Sequence, residues 1–182
     1  MIYLLLGVLL WSGAHLFKRL APDARAAMGE NAGKGIIALL LVVSIWLMVK
    51  GYGQAEGAVF WGRHPALVGV NNLLMLLSVY MFAASGMKTG LARKMRHPML
   101  GAVKVWALAH LLVNGDVPSL VLFGGLLAWA VVEMILINKS QPSWSPPSPA
   151  PKSKEIAAAV GSVVVYAAIA GVHYWLGYPA FG

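Results

Sequence analysis

Six long apolar runs, separated by short connections that hold nearly all the charge, decide what this chain can become. They fall at residues 2–17, 36–49, 66–87, 99–113, 117–137 and 156–176. A helix needs about 20 apolar residues to cross a bilayer core, and each run is near that length, the second and fourth being the shortest. Backbone polar groups in lipid must be satisfied within the segment, and the runs lack the alternation of strands, so helices follow. We expect an all-α integral membrane bundle of about six transmembrane helices, forming a single transmembrane domain over residues 1–182.

Composition agrees. The chain is 59% hydrophobic and 11% charged, with a mean hydropathy of +0.74, whereas a soluble domain carries about 25% charged residues. Its natural partner is membrane lipid. The formal charge of +8 could suggest nucleic acid, but the basic residues are scattered over several connections and form no single face, so we expect no nucleic-acid partner. Without cysteine there is no disulfide, no thiolate ligand and no thioether attachment of haem. Any metal must rely on His, carboxylate or backbone oxygen. The apolar residues 1–10 lack a basic stretch ahead of them and read as a first span, not a removable signal.

Loop charge sets the expected orientation. The first, third and fifth connections carry Lys18, Arg19, Arg25 and Lys34, then Lys88, Arg93, Lys94 and Arg96, then Lys139, Lys152 and Lys154, whereas the other side has Lys50 and Arg63, with Lys104 inside a span. The positive-inside rule puts the rich side in the cytoplasm, so both termini are expected to face outward. The turn Asn114-Gly115-Asp116 with Pro118 suggests that spans four and five form an antiparallel hairpin. At about 140–155 a Pro- and Ser-rich stretch reads as a cytoplasmic linker. Arg63-His64-Pro65 and Arg96-His97-Pro98 open spans three and four, each Pro sitting where a first helical turn tolerates a missing N–H.

Ionisable groups inside spans are costly and point to function. They are His15, Lys104, His110, Glu133 and His173, with Asn71 and Asn72 beside them. Lys104 and Glu133 either pair or each snorkel toward the cytoplasmic interface. Helical spacing puts Arg96, Val103, Trp106, Ala107, His110 and Asn114 on one stripe of span four, and Ser162, Tyr166, Ile169 and His173 on one stripe of span six. Leu4, Val8, Trp11 and His15 make an apolar stripe ending in imidazole. Each histidine has a plain reading as a hydrogen-bonded packing residue. Several in one small chain also suit axial ligation of haem iron between helices.

The segment Arg96-His97-Pro98-Met99-Leu100-Gly101, followed by Trp106-Ala107-Leu108-Ala109-His110-Leu111-Leu112-Val113-Asn114-Gly115-Asp116, resembles the NnrU family of bacterial membrane proteins. Gly13-Ala14-His15-Leu16 and Met28-Gly29-Glu30 also fit, so the resemblance covers most of the chain outside the Pro-rich linker. It implies a link to nitric oxide and denitrification metabolism, with denitrification or respiratory membrane proteins as partners. The family is related to 15-cis-zeta-carotene isomerase, which carries haem b and changes its iron ligation with redox state. That relation implies haem b on His15 and His110, and Arg96, Trp106 and Asn114, which share the His110 stripe, are the expected cofactor-binding residues. The isomerase has Cys three residues before the second histidine. Here Ala107 stands there, so a His-to-Cys ligand switch is unavailable. Depth counting offers another pair: His15 and His110 differ by about 10 Å along the membrane normal at a helical rise near 1.5 Å, which favours His110 with His173.

The leading expectation is a haem b membrane protein with redox, sensing or isomerase-type activity. A non-enzymatic assembly or regulatory factor for denitrification enzymes is the alternative, and a transporter using the intramembrane polar residues is a third.

Overall fold

The computed structural model describes residues 1–181. In chain order its elements are α1 (Ile2–Leu20), α2 (Pro22–Ala27), α3 (Glu30–Gln54), β1 (Val59–Trp61), α4 (Pro65–Met87), α5 (Gly90–Lys94), α6 (Pro98–Val113), β2 (Gly115–Asp116), α7 (Val117–Ser140) and α8 (Lys152–Trp175). The six apolar runs fall on α1, α3, α4, α6, α7 and α8, and the fold is all-α as expected. Among the described residues, α3, α4, α7 and α8 are long and apolar enough to cross a membrane, and α6 is a shorter apolar helix. The short helices α2 and α5 and the small β1–β2 ladder are too brief to register in a hydropathy window. Residues 141–151 form no regular element, in keeping with a linker.

The chain divides into two compact units. One comprises Met1–Phe60 and Gly115–Pro142, and so contains α1, α2, α3 and α7. The other comprises Trp61–Asn114 and the chain from Ser143 onward, with α4, α5, α6 and α8. Spans four and five, expected as the arms of one hairpin, therefore belong to different units.

In the first unit α1 and α3 run antiparallel with their backbones in close approach. A Cβ on Gly7 would collide with the backbone at Ser44 and Met48, and one on Gly51 with the backbone of Leu4. Lipid supplies little hydrophobic drive between helices, so association rests on dispersion contacts that only small residues permit at this range. Helix α7 starts where Asp116 accepts hydrogen bonds from the Ser119 N–H at 2.8 Å and the Ser119 hydroxyl at 3.0 Å, satisfying donors that a helix start leaves open. The Tyr52 hydroxyl lies 2.8 Å from the Ser119 hydroxyl and holds α3 to this cap. A π-helical turn at Leu120–Gly124 follows.

In the second unit α4 and α6 are pinned at two places. The Asn71 amide donates to the Ala109 carbonyl at 2.7 Å, and the Ser78 hydroxyl to the Ala102 carbonyl at 2.8 Å. The two donors stand two turns apart on α4 and their acceptors two turns apart on α6, which sets an antiparallel register. Helix α8 packs on α4 as well. Both α4 and α6 begin with Pro at the first turn, as the repeated motif suggests. Beyond opening α4, Arg63 also secures the end of the chain. Its guanidinium donates to the Pro179 carbonyl at 2.8 Å, the Asn72 amide donates to the Ala180 carbonyl at 3.2 Å, and the Tyr174 hydroxyl donates to the Phe181 carbonyl at 2.9 Å. These three donors hold the chain after α8 against its own unit.

Candidate functional site

Two clusters of aromatic and histidine side chains emerge, one in each unit. In the second unit His110 lies in the last turn of α6, and the following residue at the helix end, Asn114, donates its amide to the His110 carbonyl at 2.9 Å. The indole of Trp106, one turn earlier, meets the His110 ring edge to face, with centroids 5.3 Å apart. From α8 comes His173, whose ring centroid is 6.5 Å from that of His110 with the planes 23° apart. Because α6 and α8 both pack on α4, the two stripes inferred from helical spacing meet at these imidazoles. His173 Nδ1 lies 2.8 Å from the Ile169 carbonyl. A carbonyl only accepts, so Nδ1 carries the proton and Nε2 keeps its lone pair. Metal-ligating imidazoles are commonly held in this way. On the same face of α8 the Tyr166 hydroxyl is buried with no hydrogen-bond partner among the described residues.

In the first unit Trp11, His15 and Arg19 succeed one another a turn apart on α1 and face Trp129 and Glu133, also a turn apart, on α7. The His15 ring sits between the two indoles, 4.4 Å from Trp11 and 4.6 Å from Trp129, and the indoles meet edge to face at 5.5 Å. His15 Nδ1 lies 3.0 Å from the Trp11 carbonyl, so the same reasoning leaves its Nε2 lone pair available. Arg19 Nε is 3.2 Å from Glu133 Oε1. Trp11 Nε1, Trp129 Nε1 and Glu133 Oε2 are buried and find no hydrogen-bond partner among the described residues.

Of the residues singled out from sequence, Trp106, His110, Asn114 and His173 come together in the second unit. Arg96 lies in the link before α6, and His15 belongs to the first unit. Glu133 takes Arg19 as its partner, and Lys104 belongs to the other unit. Sequence reading missed Trp129 and the role of Arg19. The fourfold spacing of Trp11, His15 and Arg19 was a usable signal, but Arg19 reads as a loop charge when helices are ended at the last apolar residue. Among the described residues no group of three or more His, Asp or Glu could hold a metal ion by itself.

Four apolar helices of membrane-spanning length among the described residues, in an all-α fold, define an integral membrane protein. The chain matches the family model described as NnrU protein over residues 3–180, and it belongs to the NnrU family. No curated protein and no solved structure matches it.

Proposed function

We propose that this protein binds haem b within the membrane, with His110 as one axial donor, and serves nitric oxide or denitrification metabolism as its family suggests. The observation that carries this reading is the 6.5 Å separation of the His110 and His173 rings. His110 and His173, brought this close from two helices, would be the residues to hold the iron. A macrocycle supplies the remaining four donors, so a pair of imidazoles suffices where no larger ligand group exists. Trp106 offers an aromatic face beside His110. When bound, haem would supply reversible change of iron redox state. The protein's share is to orient the donor nitrogens through backbone carbonyls and to exclude water with an apolar wall.

Spacing favours His173 as the second donor, while resemblance favours His15, whose Nδ1 is tied in the same manner. Haem-replete expression and a visible spectrum of the purified protein test the proposal. His110→Ala should remove or strongly shift the Soret band under either pairing. A silent His15→Ala with a bleached His173→Ala assigns the second position to His173, and the reverse assigns it to His15. Wild-type protein that binds no haem overturns the reading in favour of an assembly or regulatory factor whose Pro-rich linker meets a denitrification partner. With Ala107 fully buried where the related isomerase has Cys, a thiolate switch forms no part of the proposed chemistry. The distribution of loop charge supports an inner-membrane location, with periplasmic termini and a cytoplasmic linker.

A further inference from the structure

The tight α1–α3 contact at Gly7 and Gly51 lies at one end of the pair. At the other end, where α2 links the two helices, a groove of about 400 Å³ opens. Its wall is Ala14 and His15 from α1 with Ile37, Ala38 and Leu41 from α3, and it is also lined by the cations Lys18, Arg25 and Lys34. A neighbouring depression of about 420 Å³ shares those three cations. Arg25 is seated, not loose. Its guanidinium lies over Gly33, where any Cβ would collide with it, and it donates to the Gly29 carbonyl at 3.1 Å. Glu30, the acidic residue of the depression, is engaged by Lys34 at 2.6 Å. Three cations against one carboxylate leave a net positive charge on a largely apolar groove.

We propose that this groove binds one anionic phospholipid, its phosphate among Lys18, Arg25 and Lys34 and an acyl chain along Ala14, Ile37, Ala38 and Leu41. Charge complementarity is the reason for that occupant: basic pockets between membrane helices select anionic headgroups, whereas a zwitterionic lipid brings its own cation into the same groove. The apolar wall excludes a free phosphate or a soluble anion as the full ligand, since neither would cover it. The lipid site does not depend on haem held by His110 and His173, but it competes with haem held by His15, which also lines the groove.

Native mass spectrometry of the full-length, delipidated protein tests this, with phosphatidylglycerol or phosphatidylcholine of identical chains added to the micelles. Wild-type protein should retain one phosphatidylglycerol in preference to phosphatidylcholine. Substituting Lys18→Gln, Arg25→Gln and Lys34→Gln together should weaken phosphatidylglycerol retention by about tenfold or more and abolish the preference. Ala38→Trp should displace the lipid by filling the wall without touching a charge, which keeps the test valid if the triple variant fails to fold. Equal retention of both lipids by the wild type, or an Ala38→Trp variant that retains phosphatidylglycerol like the wild type, overturns the proposal. So does a triple variant that loses bound haem while its lipid retention is unchanged, because the anionic group among the cations is then a propionate.

Discussion

Arg19 Nε lies 3.2 Å from Oε1 of Glu133, tying the end of α1 to α7. Both groups are largely shielded, with side-chain exposures of 21% and 11%, so each depends on the other for compensation. Removing one partner strands a charge, whereas removing both does not. Arg19→Met and Glu133→Gln should therefore each destabilise the detergent-solubilised protein more than the double variant's total implies, with a coupling of about 1–3 kcal/mol in a double-mutant cycle. Strictly additive losses in thermal or denaturant unfolding would show that the pair contributes nothing as a pair.

The bond from Asn71 to the Ala109 carbonyl is buried on both sides. Asn71→Leu leaves α6 its intrahelical bonds but removes the donor that fixes α4 against it, and should cost about 1–3 kcal/mol. Ser78→Ala, losing the equivalent bond to Ala102, should cost about 1 kcal/mol. Unfolding in a mild detergent, followed by tryptophan fluorescence, reads both. Indifference to Asn71→Leu would mean that apolar packing alone sets the α4–α6 register.

Close approach of α1 and α3 makes a sharp contrast between glycines on one sequence. Gly51→Ala places a methyl group against the Leu4 backbone and should destabilise by about 1–3 kcal/mol. Gly13→Ala meets nothing within 4 Å and should be neutral or slightly stabilising, since Ala favours the helix by about 1 kcal/mol. Similar melting temperatures for the two variants would refute the close-packed contact.

Orientation can be read by reporter fusion. Alkaline phosphatase, which needs an oxidising compartment, should be inactive when fused within residues 141–151 and active when fused after Phe181. Activity at the linker would reverse the orientation inferred from loop charge.

Local physics explains why the helices were legible from sequence. An apolar run in lipid must satisfy its own hydrogen bonds, so the six runs specify helices whatever surrounds them, and Pro65 and Pro98 mark two of their starts. Periodicity likewise placed Trp106, His110 and Asn114 on one stripe and Tyr166 and His173 on another. What periodicity along one helix cannot express is which stripe faces which. That choice rests on long-range contacts: the Asn71 and Ser78 bonds that lock α6 to α4, the packing of α8 on the same helix, and glycines 7 and 51 that admit α3 to the backbone of α1. Those contacts brought His173 to His110 and gave Glu133 to Arg19. Charge attracts at a distance that only the packed helices define, so the sequence named the ionisable residues within the spans and the tertiary structure chose their partners.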